Sequence, residues 1–151
     1  MATPETVREN ELIATAANIL LRRTVRLGAV RDPASVTEYL KLKLGGEERE
    51  IFFVLFLDTR HSIIAAEVAS VGTIDGAEVH PREIVKRALE LNAAAIICAH
   101  NHPSSNVEPS AADRAVTARL KQALALVDVR LLDHFVVTCG SYTSLAERGW
   151  I

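Results

Sequence analysis

The stretch from Glu50 to Leu57, EIFFVLFL, limits the fold more than any other part of the chain. After its opening glutamate every residue is apolar, aromatic and β-branched types are frequent, and no polar residue alternates with them. A strand of that composition has no face to offer to water, so it belongs inside a sheet covered on both sides. Two covering layers mean helices above and below, and the remaining sequence has to supply them.

It does so in a regular order. Residues 11–23 (ELIATAANILLRR) carry apolar side chains at helical spacing. A break is expected from Gly28 to Asp32. Asp32-Pro33 then has the form of an N-cap followed by proline in the first turn, and Ser35-Val-Thr-Glu38 that of a capping box. Either start predicts a helix ending near Leu44, before Gly45-Gly46. Asp58–His61 reads as a turn between EIFFVLFL and a second strand over Ser62–Val71, with antiparallel pairing through that short connection. Gly72 and Gly76 mark a loop. Pro81 opens a periodic helix, PREIVKRALELN, with Ile84, Val85, Ala88 and Leu91 on one face, and Asn92 suits a left-handed residue after it. Ala93–Ala99 is a short apolar strand, Ser110 to about Val127 a third amphipathic helix, and Val129–Thr138 a last strand ended by Cys139-Gly-Ser141. The order α-α-β-β-α-β-α-β predicts an α/β fold, a single layered domain with a mixed β-sheet flanked by helices.

Length and charge narrow the partners. At 151 residues the chain supports one hydrophobic core rather than two. Hydrophobic residues at 49% and charged residues at 24% exclude a disordered chain. Apolar runs fall far short of the ~20 residues that cross a bilayer, so no membrane span is expected. The balance of 17 basic against 19 acidic residues, net −2, argues against nucleic acid as the main partner; Arg22, Arg23 and Arg26 form the one noticeable basic cluster. Two cysteines are too few for a disulfide framework. Glu5, Arg8, Glu9 and Glu11 precede any apolar stretch, the wrong order for a secretory signal. The expected location is cytoplasmic, with reduced thiols.

The chemistry lies in His100-Asn101-His102-Pro103 and, six residues on, Ser110-Ala-Ala-Asp113. Histidines at i and i+2 of extended backbone point to the same side and can reach one ion. The loop returns a carboxylate from the first turn of a helix, where the helix dipole keeps it ionised. Two nitrogens and one oxygen make a three-ligand set of the kind found in catalytic zinc sites, with a fourth position open. Ser-x-x-Asp is also a capping signature in its own right, and a histidine ending an apolar strand is also a core hydrogen-bonding residue.

His100-x-His102-Pro103 followed by Ser110-x-x-Asp113 resembles the metal motif of the JAMM (MPN-plus) metalloprotease family. Pro81-Arg-Glu-Ile84, Ala88-Leu89, Asn92, His100-Asn-His-Pro-Ser104, Asp113, Asp133-His134 and Tyr142-x-Ser144 are similar to its RadC branch, from about residue 11 to the C-terminus. The resemblance implies a JAMM/MPN fold of the cytidine deaminase-like type, Zn²⁺ held by His100, His102 and Asp113, and Ser110 hydrogen-bonded to the oxyanion or the attacking water. It also implies an upstream glutamate as general base. Glu50 is the choice because it opens its strand as the family's glutamate does, with Glu48 and Glu67 as rivals. Residues 1–30 then read as a helical lead-in and 31–151 as the RadC-like domain. The RadC branch has glycine where this chain has Ser105, so a different course of the loop after the histidines is expected. Full-length RadC proteins carry a helix-hairpin-helix region that no segment here matches.

The implied function is zinc-dependent hydrolysis of a peptide or isopeptide bond in a protein or peptide substrate. The alternative is a non-catalytic metal-binding module that recognises protein or DNA. Cys98 shares the parity of the histidines but lies about 6.6 Å back along the strand, which reads as core. Asp133-His134 is either a structural pair, a support to the metal ligands or an acid–base dyad. His61 and His80 read as turn and cap residues. The tail with Trp150 either meets another subunit or closes the core.

Overall fold

The computed structural model describes residues 2–26, 30, 34–72 and 78–151. The expected break at Gly28–Asp32 apart from Val30, the start at Asp32-Pro33, the side chain of Ser35 and Gly76 lie outside what it describes.

The all-apolar strand is β1 (Ile51–Leu57), and every residue from Phe52 to Leu57 is buried. It pairs antiparallel with β2 (Ile63–Val71) on one side and with β3 (Ala95–Asn101) on the other. β3 pairs parallel with β4 (Arg130–Val137), and β4 antiparallel with β5 (Tyr142–Ser144). The sheet is therefore mixed, five-stranded, in the order β2-β1-β3-β4-β5.

Both faces are covered, as the composition of β1 demands. Phe53, Leu55 and Leu57 join Tyr39, Leu40 and Leu44 of α2 (Ala34–Leu44), with Ala17 of α1 (Pro4–Arg26) beyond them. Phe52, Val54 and Phe56 face the other way, onto Ile84 and Ala88 of α3 (Pro81–Glu90) and Leu120 and Leu124 of α4 (Ala111–Ala125). Each buried side chain of this size contributes roughly 1.5–3 kcal/mol. Gly45 ends α2 where the chain passes Cys139: a Cβ there would stand 2.5 Å from the Lys41 carbonyl and 2.7 Å from the Cys139 nitrogen. No side chain fits at that crossing.

Three details differ from the sequence reading. α1 begins at Pro4 rather than near residue 11, because Thr3 Oγ1 accepts the Thr6 amide at 3.1 Å and Pro4 fits the first turn. Periodicity marks only the part of α1 that packs, around Ala17, Leu20 and Leu21. β3 runs on through His100 and Asn101, which pair with Val136 and Val137 although both are polar. β5 was not anticipated; three residues carry too little pattern to register as a strand. Trp150 lies against two guanidinium groups, Arg114 at 4.2 Å and Arg148 at 5.3 Å from the ring centre. Ile151 packs on the core beside α4. Asn92, at φ 54°, takes the expected left-handed conformation after α3. Among the described residues no helix is long and apolar enough to cross a membrane.

Candidate metal centre

The C-terminal end of β3 delivers the histidines. His100 sits in the sheet between Phe52 of β1 and Val136 of β4, and only 1% of it is exposed. His102 follows the strand, its amide donating to the Val137 carbonyl at 3.2 Å. Strand parity puts both rings on the α4 face of the sheet, with their Nε2 atoms 3.0 Å apart. The loop 103–110 then turns the chain so that the first turn of α4 stands over them. Ser110 caps that helix: its Oγ accepts the Asp113 amide at 3.0 Å, and its own amide donates to Asp113 Oδ2 at 2.8 Å. This reciprocal box fixes the Asp113 carboxylate, with Oδ2 3.0 Å from His102 Nε2 and Oδ1 3.2 Å from His100 Nε2.

Glu50 completes the group. It stands one residue before β1, with Oε1 3.9 Å from His100 Nε2. Glu50, His100, His102 and Asp113 each offer a ligand atom, and these atoms all lie within 4.8 Å of one another. Of the rival glutamates, Glu48 is exposed to solvent, and Glu67 is held by Arg87, whose Nε donates to it at 2.7 Å.

The donor set suits a small divalent cation. His102 Nδ1 lies 2.7 Å from the Asn106 carbonyl, which can only accept, so Nδ1 carries a proton and Nε2 faces the site. Two imidazole nitrogens and the two oxygens of one carboxylate then converge, with contacts of 3.0–3.2 Å. Ligands bonded to zinc at 2.0–2.1 Å in a tetrahedron stand about 3.3 Å from each other, close to this spacing. Lone pairs that near to one another need a proton or a cation between them.

The electrostatics agree. Burial works to raise the Asp113 carboxyl, but the neighbouring His100 and His102 imidazoles, with the Ser110 amide, outweigh it and hold it well below the usual carboxylate range. The same hydrogen bond to Asp113 raises His102, against burial. Glu50 is raised, first by burial and then by the Asp113 charge, with both histidines opposing. The cluster thus pairs one firmly ionised carboxylate with one that holds a proton more readily.

Residues outside the motif shape the centre. Asn101 points away from the histidines: Oδ1 accepts the Ile51 amide at 2.7 Å, and Nδ2 donates to the carbonyls of Arg49 at 2.9 Å and Glu47 at 3.3 Å. Those bonds fix the segment that presents Glu50, and the signal was available, since a residue between i and i+2 ligands faces the opposite side of the strand. Ser105 has φ 67°, in the left-handed region where glycine is at ease, so the serine takes up the backbone that a glycine would favour. Cys98 is fully buried in the core on the α4 side, where burial pushes its thiol up. Asp133 and His134 diverge: the carboxylate accepts from Ser144 Oγ at 2.6 Å and from two backbone amides, whereas the His134 ring turns to His100 and Thr117. His61 sits in the turn after β1 at φ 63°, and His80 is the N-cap of α3.

Comparison with known proteins gives this geometry a context. A family model described as a RadC-like JAB domain matches residues 30–150. A UPF0758 protein of Xanthomonas campestris pv. campestris is 58% identical over 132 residues, which are 87% of this chain and 59% of that protein. One from Xanthomonas oryzae pv. oryzae is 60% identical over 123 residues, 82% of this chain and 55% of the relative. A UPF0758 protein of Vibrio cholerae is 53% identical over 144 residues, 95% of this chain and 91% of the relative. This chain therefore spans little more than half the length of the Xanthomonas proteins and most of the Vibrio one.

Proposed function

Because this chain belongs to the RadC-like JAB domain family, a JAMM/MPN-type group, we propose that it is a zinc-dependent hydrolase of peptide or isopeptide bonds. The observation that carries the reading is the convergence of His100, His102 and Asp113 at 3.0–3.2 Å with the Glu50 carboxylate beside them. His100, His102 and Asp113 would hold Zn²⁺, leaving one position open. A zinc ion in such a site lowers the pKa of water and polarises a carbonyl.

The protein's own groups do the rest. Glu50 takes the proton of the attacking water and passes it to the leaving amine, and its raised affinity for a proton serves both transfers. Ser110 Oγ accepts the Asp113 amide, so its hydroxyl proton remains to be donated to the oxyanion that forms on the scissile carbonyl. Asp113 stays ionised throughout. The substrate class is a protein or peptide, the location is the cytoplasm, and residues 31–151 act as the catalytic unit with 1–30 as a helical lead-in.

Elemental analysis of the tag-free protein beside His102→Ala tests the reading. About one zinc per chain, lost in the variant, supports it and opens a screen of peptide and isopeptide substrates. Absence of metal from both proteins after zinc is supplied would overturn it, in favour of a binding module built on the same fold.

A further inference from the structure

We propose that Thr117 and His134 are a positioning pair that fixes the ring proton of His100 on Nδ1, so that its Nε2 lone pair faces the metal centre. The consequence for metal binding rests on the zinc reading above; the proton placement itself does not.

Hydrogen-bond polarity fixes where each proton sits. Thr117 Oγ1 lies 2.7 Å from the backbone carbonyl of Asp113, one turn back in α4, and 2.6 Å from His134 Nδ1. His134 Nε2 lies 2.7 Å from His100 Nδ1. A carbonyl only accepts, so the one hydroxyl proton of Thr117 goes to it. The hydroxyl must then accept on its other side, which places a proton on His134 Nδ1. His134 is fully buried, its ring meeting Thr117, His100 and the edge of Phe52. Such a ring stays neutral and carries a single N–H, so its Nε2 is bare and accepts from His100 Nδ1–H. His100 is left with its lone pair on Nε2, the atom 3.0 Å from His102 Nε2 and 3.2 Å from Asp113 Oδ1.

The polarity of the whole chain is therefore set by a main-chain carbonyl, the one member that cannot reverse. Reversing it would put a hydroxyl lone pair against the Asp113 carbonyl at 2.7 Å. Asp113 thus acts twice, through its carboxylate at the site and through its carbonyl at the far end of the relay. His102 reaches the same tautomer by a shorter route, through the Asn106 carbonyl. A metal-binding histidine commonly donates its other N–H to a carboxylate, a carbonyl or water. Here a neutral imidazole takes that place and needs Thr117 to hold its own proton on the far side.

Nitrogen-15 NMR of the histidine rings in the metal-free full chain tests the proposal directly. Both His100 and His134 are expected to carry the proton on Nδ1 and to have a bare Nε2. Thr117→Val, nearly isosteric, removes the hydroxyl and is expected to move both protons to Nε2, because a bare Nδ1 of His134 sits better against an apolar group. Zinc affinity, read by competition with a chelator, should fall about 10-fold in that variant. Thr117→Ser should restore the tautomers and the affinity, which loss of packing alone would not predict. A proton on His134 Nε2 in the unaltered protein, or unchanged tautomers in Thr117→Val, would overturn the proposal. Failure of the unaltered protein to bind zinc would count against the hydrolase reading instead, and the metal-free spectra would still decide the tautomers.

Discussion

Asn101 Oδ1 accepts the Ile51 amide at 2.7 Å, tying the residue between the two histidines to the residue after Glu50. With the carbonyls of Glu47 and Arg49 also bound to Nδ2, one buried side chain holds the segment 47–51 against the end of β3. The histidines and the glutamate are thereby locked to each other although about half a hundred residues separate them. Asn101→Ala should leave three backbone groups without partners and reduce stability by about 2–3 kcal/mol in denaturant unfolding. Zinc stoichiometry should be retained, because the three proposed ligands are not on the released segment. Hydrolysis should fall sharply, because Glu50 loses its placement. An enzyme unaffected in both stability and turnover would show that the clamp has no role.

Glu50→Gln should separate catalysis from stability. Burial raises the Glu50 carboxyl, so its ionised form is disfavoured in the folded state. A folded pKa above the unfolded value means that stability is lost as pH rises through the folded pKa. The neutral amide avoids that loss, and the metal-free variant should melt above the unaltered protein at pH 7. Zinc content should persist while turnover disappears. A variant with full turnover would remove Glu50 as the base and return attention to Glu48.

Ser105→Gly should stabilise the protein modestly. A serine at φ 67° carries a penalty of about 1 kcal/mol that glycine does not, partly offset by the greater freedom of glycine in the unfolded chain. The net gain should be about 0.5 kcal/mol, with zinc affinity unchanged because the turn from His102 to Ser105 keeps its 3.0 Å hydrogen bond. Thermal melting of the two proteins, with and without zinc, is the measurement. A fall in melting temperature would mean that the serine side chain contributes more than its backbone position costs.

Ser105 also shows where the sequence was readable and where it was not. A departure from the family pattern at that position suggested a different loop, yet the backbone is the one a glycine would adopt, because the turn and not the side chain decides it. The layered fold was legible from EIFFVLFL, whose burial on both faces forces helices above and below. The meeting of His100, His102 and Asp113 was legible from strand parity and the Ser110–Asp113 cap, both local patterns. Which partners meet His100 was not: His134 was one of several readings and Thr117 was none. His134 lies 34 residues from His100, and Thr117 is an ordinary interior position of α4. Only the parallel pairing of β3 with β4, a long-range property, brings them into one line.

The metal-free protein should respond to pH through His102 and Asp113. His102 is raised above its ordinary 6.5 by the hydrogen bond to Asp113, and Asp113 is lowered below its ordinary 3.8 against the opposing effect of burial. A raised histidine contributes stability that is complete below its unfolded pKa and lost as pH climbs through the folded one. A lowered carboxylate contributes stability that is complete above its unfolded pKa and lost as pH falls through the folded one. Without metal, then, the Asp113–His102 pair should contribute most between about pH 4 and 6.5, and its contribution should decline towards alkaline pH, by no more than about 1.4 kcal/mol per pH unit for the one proton of His102. Zinc reverses the sign, since it binds only the deprotonated ring and its affinity rises with pH over the same interval. Urea unfolding from pH 5 to 9, with chelator and with zinc, should give slopes of opposite sign. In His102→Gln the alkaline decline of the metal-free protein should become shallower, Glu50 keeping its own share; an unchanged decline would place the titrating group elsewhere.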